Sequence, residues 1–141
     1  MIQIVKKGKV ILAGAGPGDP DLISLKALKY LQTADVILTD RLVSPNLIEE
    51  YARKDAQVIY VGKQCSKGIW TPQSDINNLM VEFALQDKLV LRLKGGDASL
   101  FSNVLDELQA IKNNNIPYEI IPGISAAFGA AAYSGIPLTA R

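Results

Sequence analysis

Short apolar, β-prone runs alternate with helical-period stretches five times along this chain. The strand-like runs are Lys9–Ala13, Val36–Thr39, Gln57–Val61, Leu89–Leu93 and Tyr118–Ile121. Between them, Leu22, Leu25, Leu28 and Leu31 recur at helical spacing, with Ser24 or Asp21 as the cap. Leu47, Ile48 and Tyr51 mark a second helix after Ser44-Pro45. Ile76, Leu79, Met80 and Phe83 mark a third, capped by Ser74 or Asp75. Leu100, Val104, Leu105, Leu108 and Ile111 mark a fourth, ending at Asn113-Asn114-Asn115, and Ser125 to Ser134 form a fifth from small residues. Alternation at this spacing predicts an α/β fold, a three-layer domain in which a mostly parallel five-stranded sheet is flanked by helices. Strands rich in Val, Ile and Leu fit burial on both faces.

Composition narrows the chemistry more than the fold. At 141 residues the chain is one domain by size, and its 48% hydrophobic and 21% charged residues are ordinary for a globular protein. A net charge of +1 gives no broad field for nucleic acid or an anionic membrane. An acidic substrate would have to be held by locally placed cations. The single cysteine, Cys65, rules out an internal disulfide and suits a reducing cytoplasm. Cys65 and Trp70 read as structural or surface residues. There is no histidine, which removes the usual metal ligand, the usual neutral-pH base and any Ser-His or Cys-His pair. No metal constellation is present. The uncharged stretch Ile120 to Leu138 is broken by Pro122, Gly123, Gly129, Gly135 and Pro137, so it reads as a short buried helix and not a membrane span.

Two strand ends run into glycine: Val10-Ile11-Leu12-Ala13-Gly14-Ala15-Gly16-Pro17-Gly18-Asp19, and Val90-Leu91-Arg92-Leu93-Lys94-Gly95-Gly96-Asp97. In a parallel sheet both would lie at the carboxyl edge, where ligands bind. The first fails the dinucleotide pattern G-x-G-x-x-G because Asp19 holds its last position. Pro17 removes an N–H that a pyrophosphate would use, and Asp19 and Asp21 repel phosphate. No Walker loop exists. A neutral or cationic ligand fits better, and S-adenosylmethionine, a sulfonium without phosphate, is one. A structural turn before a capped helix is the other reading of this loop. Likewise Asp97 either accepts hydrogen bonds from ribose hydroxyls or an ammonium, or caps the helix that follows.

Read in order, Gly14-Ala15-Gly16-Pro17-Gly18-Asp19-Pro20-Asp21-Leu22, Asp40-Arg41-Leu42-Val43, Val61-Gly62-Lys63, Arg92-Leu93-Lys94-Gly95-Gly96-Asp97, Pro122-Gly123-Ile124-Ser125-Ala126 and Gly135-Ile136-Pro137-Leu138-Thr139 resemble the tetrapyrrole (corrin/porphyrin) methylases. The Asp-Arg-Leu-Val and Arg-Leu-Lys-Gly-Gly-Asp segments favour the branch that methylates uroporphyrinogen III. The resemblance covers residues 1–141 as the N-terminal α/β domain of that family, whose second α/β domain completes the cleft and is absent from this sequence. Locally the chain departs from the family. Ala98 stands where proline is usual and Ser102 where glycine is usual; a histidine is missing between Lys63 and Gln73, and Ala140 replaces one before Arg141.

The resemblance implies S-adenosylmethionine-dependent methylation of uroporphyrinogen III at C2 and C7 to give precorrin-2, in siroheme or cobalamin synthesis, with S-adenosylhomocysteine as by-product. It implies Asp40 as proton acceptor and Lys63 as proton donor. Cofactor contacts fall on Pro17, Gly95, Gly96, Asp97, Leu100, Ser125 and Ala126, and substrate contacts on Arg41 and Lys94. It further implies a small-molecule tetrapyrrole partner, a homodimer at full length, and a cytoplasmic enzyme that is inactive as this domain alone. The alternatives are a non-catalytic binding or assembly module, and a methylase for a different tetrapyrrole.

Overall fold

A computed structural model describes residues 8–64 and 68–140. Seven strands and five α-helices follow one another as β1 (Lys9–Gly14), α1 (Leu25–Thr33), β2 (Val36–Thr39), α2 (Pro45–Tyr51), β3 (Gln57–Tyr60), β4 (Lys63–Gln64), β5 (Ile69–Trp70), α3 (Gln73–Leu85), β6 (Leu89–Lys94), α4 (Val104–Asn113), β7 (Tyr118–Ile121) and α5 (Ala126–Ser134). Five strands form one sheet in the order β3-β2-β6-β1-β7, and every pairing in it is parallel. All five carboxyl ends therefore share one edge. The two shortest strands stand apart as an antiparallel hairpin, Lys63 opposite Trp70.

Side-chain alternation along each strand builds two cores. Ile11 and Ala13 of β1, Ile37 of β2 and Leu91 and Leu93 of β6 pack under Ala27 and Leu31 of α1 and Leu47 and Ile48 of α2. Val10, Leu12, Val36, Leu38 and Val90 face the other way, under Ile76, Met80 and Ala84 of α3 and Val104 and Ile111 of α4. Helices on both faces close the three layers, as right-handed crossovers require when the chain reverses direction across the sheet. Leu91, fully buried on a central strand, is worth about 2–5 kcal/mol against alanine.

Local chemistry sets the boundaries. Ser24 caps α1 by accepting from the Ala27 amide at 3.2 Å, and Ser125 caps α5 by accepting from Ala127 at 3.3 Å. Four expectations are corrected. The helix expected to be buried within Ile120 to Leu138 is α5, in which Gly129 is buried while Phe128 and Tyr133 are exposed. The third helix begins at Gln73 with Pro72 before it, so Ser74 and Asp75 lie inside its first turn and do not cap it. Leu100 lies outside α4, which starts at Val104. Leu22 belongs to a separate 3-10 turn, Pro20–Leu22, which Asp19 caps through the Asp21 amide at 2.9 Å. Among the described residues, no helix is long and apolar enough to cross a membrane.

Candidate active site

The carboxyl edge is assembled by backbone contact between loops. The bend after β1 presses against that after β7: a Cβ on Gly14 would lie 2.9 Å from the Cα of Gly123, so only glycine fits. Gly16 and Gly96 exchange two backbone hydrogen bonds, 3.1 and 2.8 Å, and the Ala15 amide donates to the Lys94 carbonyl at 2.7 Å. The N–H groups of Ala15 and Gly16 are thereby spent inside the fold, and Pro17 has none. Those three positions therefore offer a phosphate no backbone donor. A second clamp comes from α5, whose Gly129 backs so closely onto Pro17 that a Cβ there would sit 2.7 Å from the proline ring. Tyr133 of α5 donates to Asp19 at 3.1 Å, and that acidic neighbour holds the tyrosine hydroxyl above its usual range.

Between these loops lies a cavity of about 300 Å³ lined by Gly16, Pro17, Leu42, Gly95, Gly96, Asp97, Leu100, Phe101, Ser125 and Ala126. It is at the small end of ligand pockets, which run from about 300 to 1,000 Å³. All seven residues carried over as cofactor contacts are in this lining. Asp97 is also the knot that ties two loops. Its Oδ1 accepts from the Ser99 amide at 2.8 Å and the Ser99 hydroxyl at 2.6 Å, and its Oδ2 from the Gly123 amide at 2.9 Å. Burial alone would raise its pKa; the hydrogen bonds from Ser99, Gly123 and Leu100 outweigh that and hold the carboxyl below its ordinary value. Asp97 does not cap α4, whose cap position is Asn103.

A larger cavity, about 450 Å³, opens on the other side of a shared wall of Leu42, Gly95, Asp97, Leu100 and Phe101. Asp40, Gly62, Trp70, Thr71, Gln73, Arg92, Lys94, Ser102 and Asn103 line its polar part. Phe101 is fully exposed and held at φ +52°, a conformation that bulky side chains rarely adopt. Asp40 follows β2 directly and accepts from the Leu42 amide at 3.0 Å, which turns the chain across the cavity mouth. At the floor, Glu107 of α4 is completely buried, 3.1 Å from Arg92 Nε and 2.6 Å from Lys94 Nζ. Lys94 also donates to the Ser102 hydroxyl at 2.6 Å. Burial pushes the Lys94 ammonium below the usual lysine range, against the opposing pull of Glu107.

The expected site residues therefore divide. Asp40 and Lys94 line the larger cavity. Lys63 enters β4 beside Gly62 of that lining, and its side chain lies outside the described residues, as do Cys65 and Arg141. Arg41 is exposed on the turn after β2 and is in neither lining. Lys94, expected as an available cation, is nearly enclosed by Glu107 and Ser102. Trp70, expected as structural or surface, is exposed and lines the larger cavity. Arg92 and Glu107 were not anticipated, yet a signal was present. Arg92 and Lys94 alternate with Leu91 and Leu93, so two cations share one face of a central strand and demand a buried acid.

A parallel sheet with glycine-built loops at its carboxyl edge and two cavities sharing a wall defines an α/β domain with a candidate ligand cleft. The chain belongs to the tetrapyrrole (corrin/porphyrin) methylases, whose family model matches residues 9–141. It is 51% identical over 134 residues to siroheme synthase of Vesicomyosocius okutanii, covering 95% of this chain and 28% of that protein. To siroheme synthase of Pseudomonas aeruginosa it is 50% identical over 137 residues, covering 97% and 29%. Among solved structures, uroporphyrin-III-C-methyltransferase from Thermus thermophilus superposes with TM-score 0.82 at 38% identity, over 96% of this chain and 56% of that one. The same enzyme complexed with S-adenosylhomocysteine gives 0.75 at 36%, over 95% and 51%. A cobalt precorrin-4 methyltransferase of cobalamin biosynthesis gives 0.82 at 33%, over 94% and 53%. The chain thus spans less than a third of those siroheme synthases and about half of the solved methyltransferases.

Proposed function

We propose that this chain is the cofactor-binding domain of an S-adenosylmethionine-dependent methyltransferase that methylates uroporphyrinogen III at C2 and C7 toward siroheme or cobalamin. The observation that carries the reading is the convergence of Pro17, Gly95, Gly96, Asp97, Leu100, Ser125 and Ala126, drawn from three loops, on one cavity. The donor set fits the cofactor, because the amides of Ala15 and Gly16 are already used within the fold, Pro17 has none, and Asp97 is an acceptor for a hydroxyl or an ammonium. When bound, S-adenosylmethionine supplies an electrophilic methyl group, which a pyrrole carbon accepts as the carbon–sulfur bond breaks and its electron pair stays on sulfur.

The chain's residues do the rest. Leu42, Leu100 and Phe101 separate cofactor from substrate while leaving the two cavities adjacent. Lys94 and Arg92 give the larger cavity cationic character suited to a polycarboxylated tetrapyrrole, with Arg41 at the surface beside it. Asp40 accepts the proton that the methylated pyrrole sheds, and Lys63 acts as donor. The residues beyond this length in the family complete the cleft and carry a homodimer interface, in a cytoplasmic enzyme. In the protein at full length, Asp40→Ala should abolish turnover of uroporphyrinogen III, followed by product absorbance, while S-adenosylhomocysteine still binds. Undiminished turnover would sink the role given to Asp40, and turnover of a different tetrapyrrole only would sink the substrate.

A further inference from the structure

Glu107 is a fully buried acid that the proposed chemistry does not use. It lies on the same stripe of α4 as Val104 and Ile111, the stripe that covers the sheet. An acid there is costly unless each oxygen has a partner. Oε1 is 3.1 Å from Arg92 Nε, with Gln73 Nε2 of α3 at 3.4 Å; among the described residues Oε2 has no partner in hydrogen-bond geometry and is held by the Lys94 ammonium alone, as an ion pair at 2.6 Å. Arg92 is held further by the carbonyls of Leu38 and Leu93, each at 3.4 Å. Lys94 reaches Ser102 at 2.6 Å and lies within the field of Asp40 across the cavity. Two cations two residues apart on one strand face repel each other. Without the acid, Lys94 would have to lose its proton or leave the floor.

We infer that Glu107 is a positioning residue: its buried carboxylate, paired with Arg92 and Lys94, fixes the Lys94 ammonium at the floor of the larger cavity to meet a ligand carboxylate. The inference rests on the reading of that cavity as a polycarboxylate site and adds to it the group that holds the site's charge in place. Glu107 lines neither cavity and reaches the larger one through Lys94, Arg92 and Gln73. The groups facing Lys94 are Glu107 from α4, Arg92 from its own strand, Asp40 from the loop after β2 and Ser102 from the loop before α4. Of these, Glu107 makes the largest contribution that favours the charged form, while burial and Arg92 oppose it.

The test has two readouts, one independent of any ligand. Lys94 Nζ is followed by NMR through an alkaline titration in the wild type and in Glu107→Gln. The variant should lower the Lys94 midpoint by about one pH unit or more, roughly tenfold in proton affinity. Uroporphyrin III, a stable fluorescent polycarboxylate, is then titrated near neutral pH. Its affinity should fall about tenfold in the variant, and in the wild type it should fall as pH passes the Lys94 midpoint. Glu107→Asp should recover part of both. If Glu107→Gln does not fold, Arg92→Met with Glu107→Gln removes both charges together and should still move Lys94 downward, by less than the loss of Glu107 alone because the opposing charge of Arg92 goes with it. An unmoved Lys94 midpoint in a folded variant overturns the inference, as does unchanged uroporphyrin III affinity. A wild type that ignores uroporphyrin III while the Lys94 midpoint still moves overturns the substrate reading but supports the hold of Glu107 on Lys94.

Discussion

Glu107 and Glu119 face nearly the same chemistry in opposite settings. Glu119 of β7 ion-pairs with Lys26 of α1, lies 3.1 Å from Lys9 of β1 and accepts from the Tyr30 hydroxyl at 2.8 Å, with its side chain 24% exposed. Glu107 of α4 meets Arg92 and Lys94 with its side chain 0% exposed. At Glu119 the partners dominate: Lys26, then Tyr30 and Lys9, lower its pKa from 4.5 to about 2. The same cluster also leaves the Lys9 ammonium above its usual value, Tyr30 being the main cause. At the buried cluster desolvation dominates, and Lys94 moves down. The half-open cluster stitches an edge strand to a helix and contributes stability. The closed one opposes burial and places charge beneath a cavity, which is a use for a buried ion pair that stability alone does not explain.

Removing each acid should expose that difference. Glu107→Ala strands two buried cations and should destabilise the fold by about 3–5 kcal/mol, read as a lower urea midpoint or failure to fold. Glu119→Gln should cost only about 1 kcal/mol near neutral pH, but it should change the shape of the acid limb. Because the folded pKa of Glu119 lies below its unfolded value of 4.5, its stabilisation is complete above that value and is lost as pH falls toward about 2. The variant should therefore lose less stability than the wild type across that window, and parallel urea midpoints through it would contradict the assignment. Smaller still, Lys26→Met should cost about 0.5 kcal/mol at low salt and almost nothing at high salt. A salt-independent loss would mean that Lys26 acts through packing.

Much of the fold was legible because strand periodicity and burial agree. β2 and β7 have the expected bounds, while β1 and β6 each extend one residue further and β3 stops one short. Where side-chain pattern was silent, the reading failed. The β4–β5 hairpin is two residues per strand, too short for any period. Leu100 continues a helical spacing into α4, but the Asp97 carboxylate captures the Ser99 amide and folds that segment as a loop. The glycine loops marked the edge where both cavities open. The seven contacts implied by the resemblance line the smaller cavity, whereas Leu42 and Phe101 of the shared wall and Trp70, Thr71, Gln73 and Asn103 of the larger cavity were not expected there. The floor was not legible, since the link from Arg92 and Lys94 to Glu107 joins a strand to the following helix across the loop between them. That pairing depends on which face of α4 turns inward, which a list of charges does not specify.

The most direct test of the account is calorimetric titration of this chain with S-adenosylhomocysteine, alone and as Ala126→Phe, which fills the smaller cavity from the first residue of α5. Saturable one-to-one binding that the substitution abolishes is the predicted result. No saturable heat from the wild type, or binding that Ala126→Phe leaves intact, would contradict the claim that the three loops form the cofactor site.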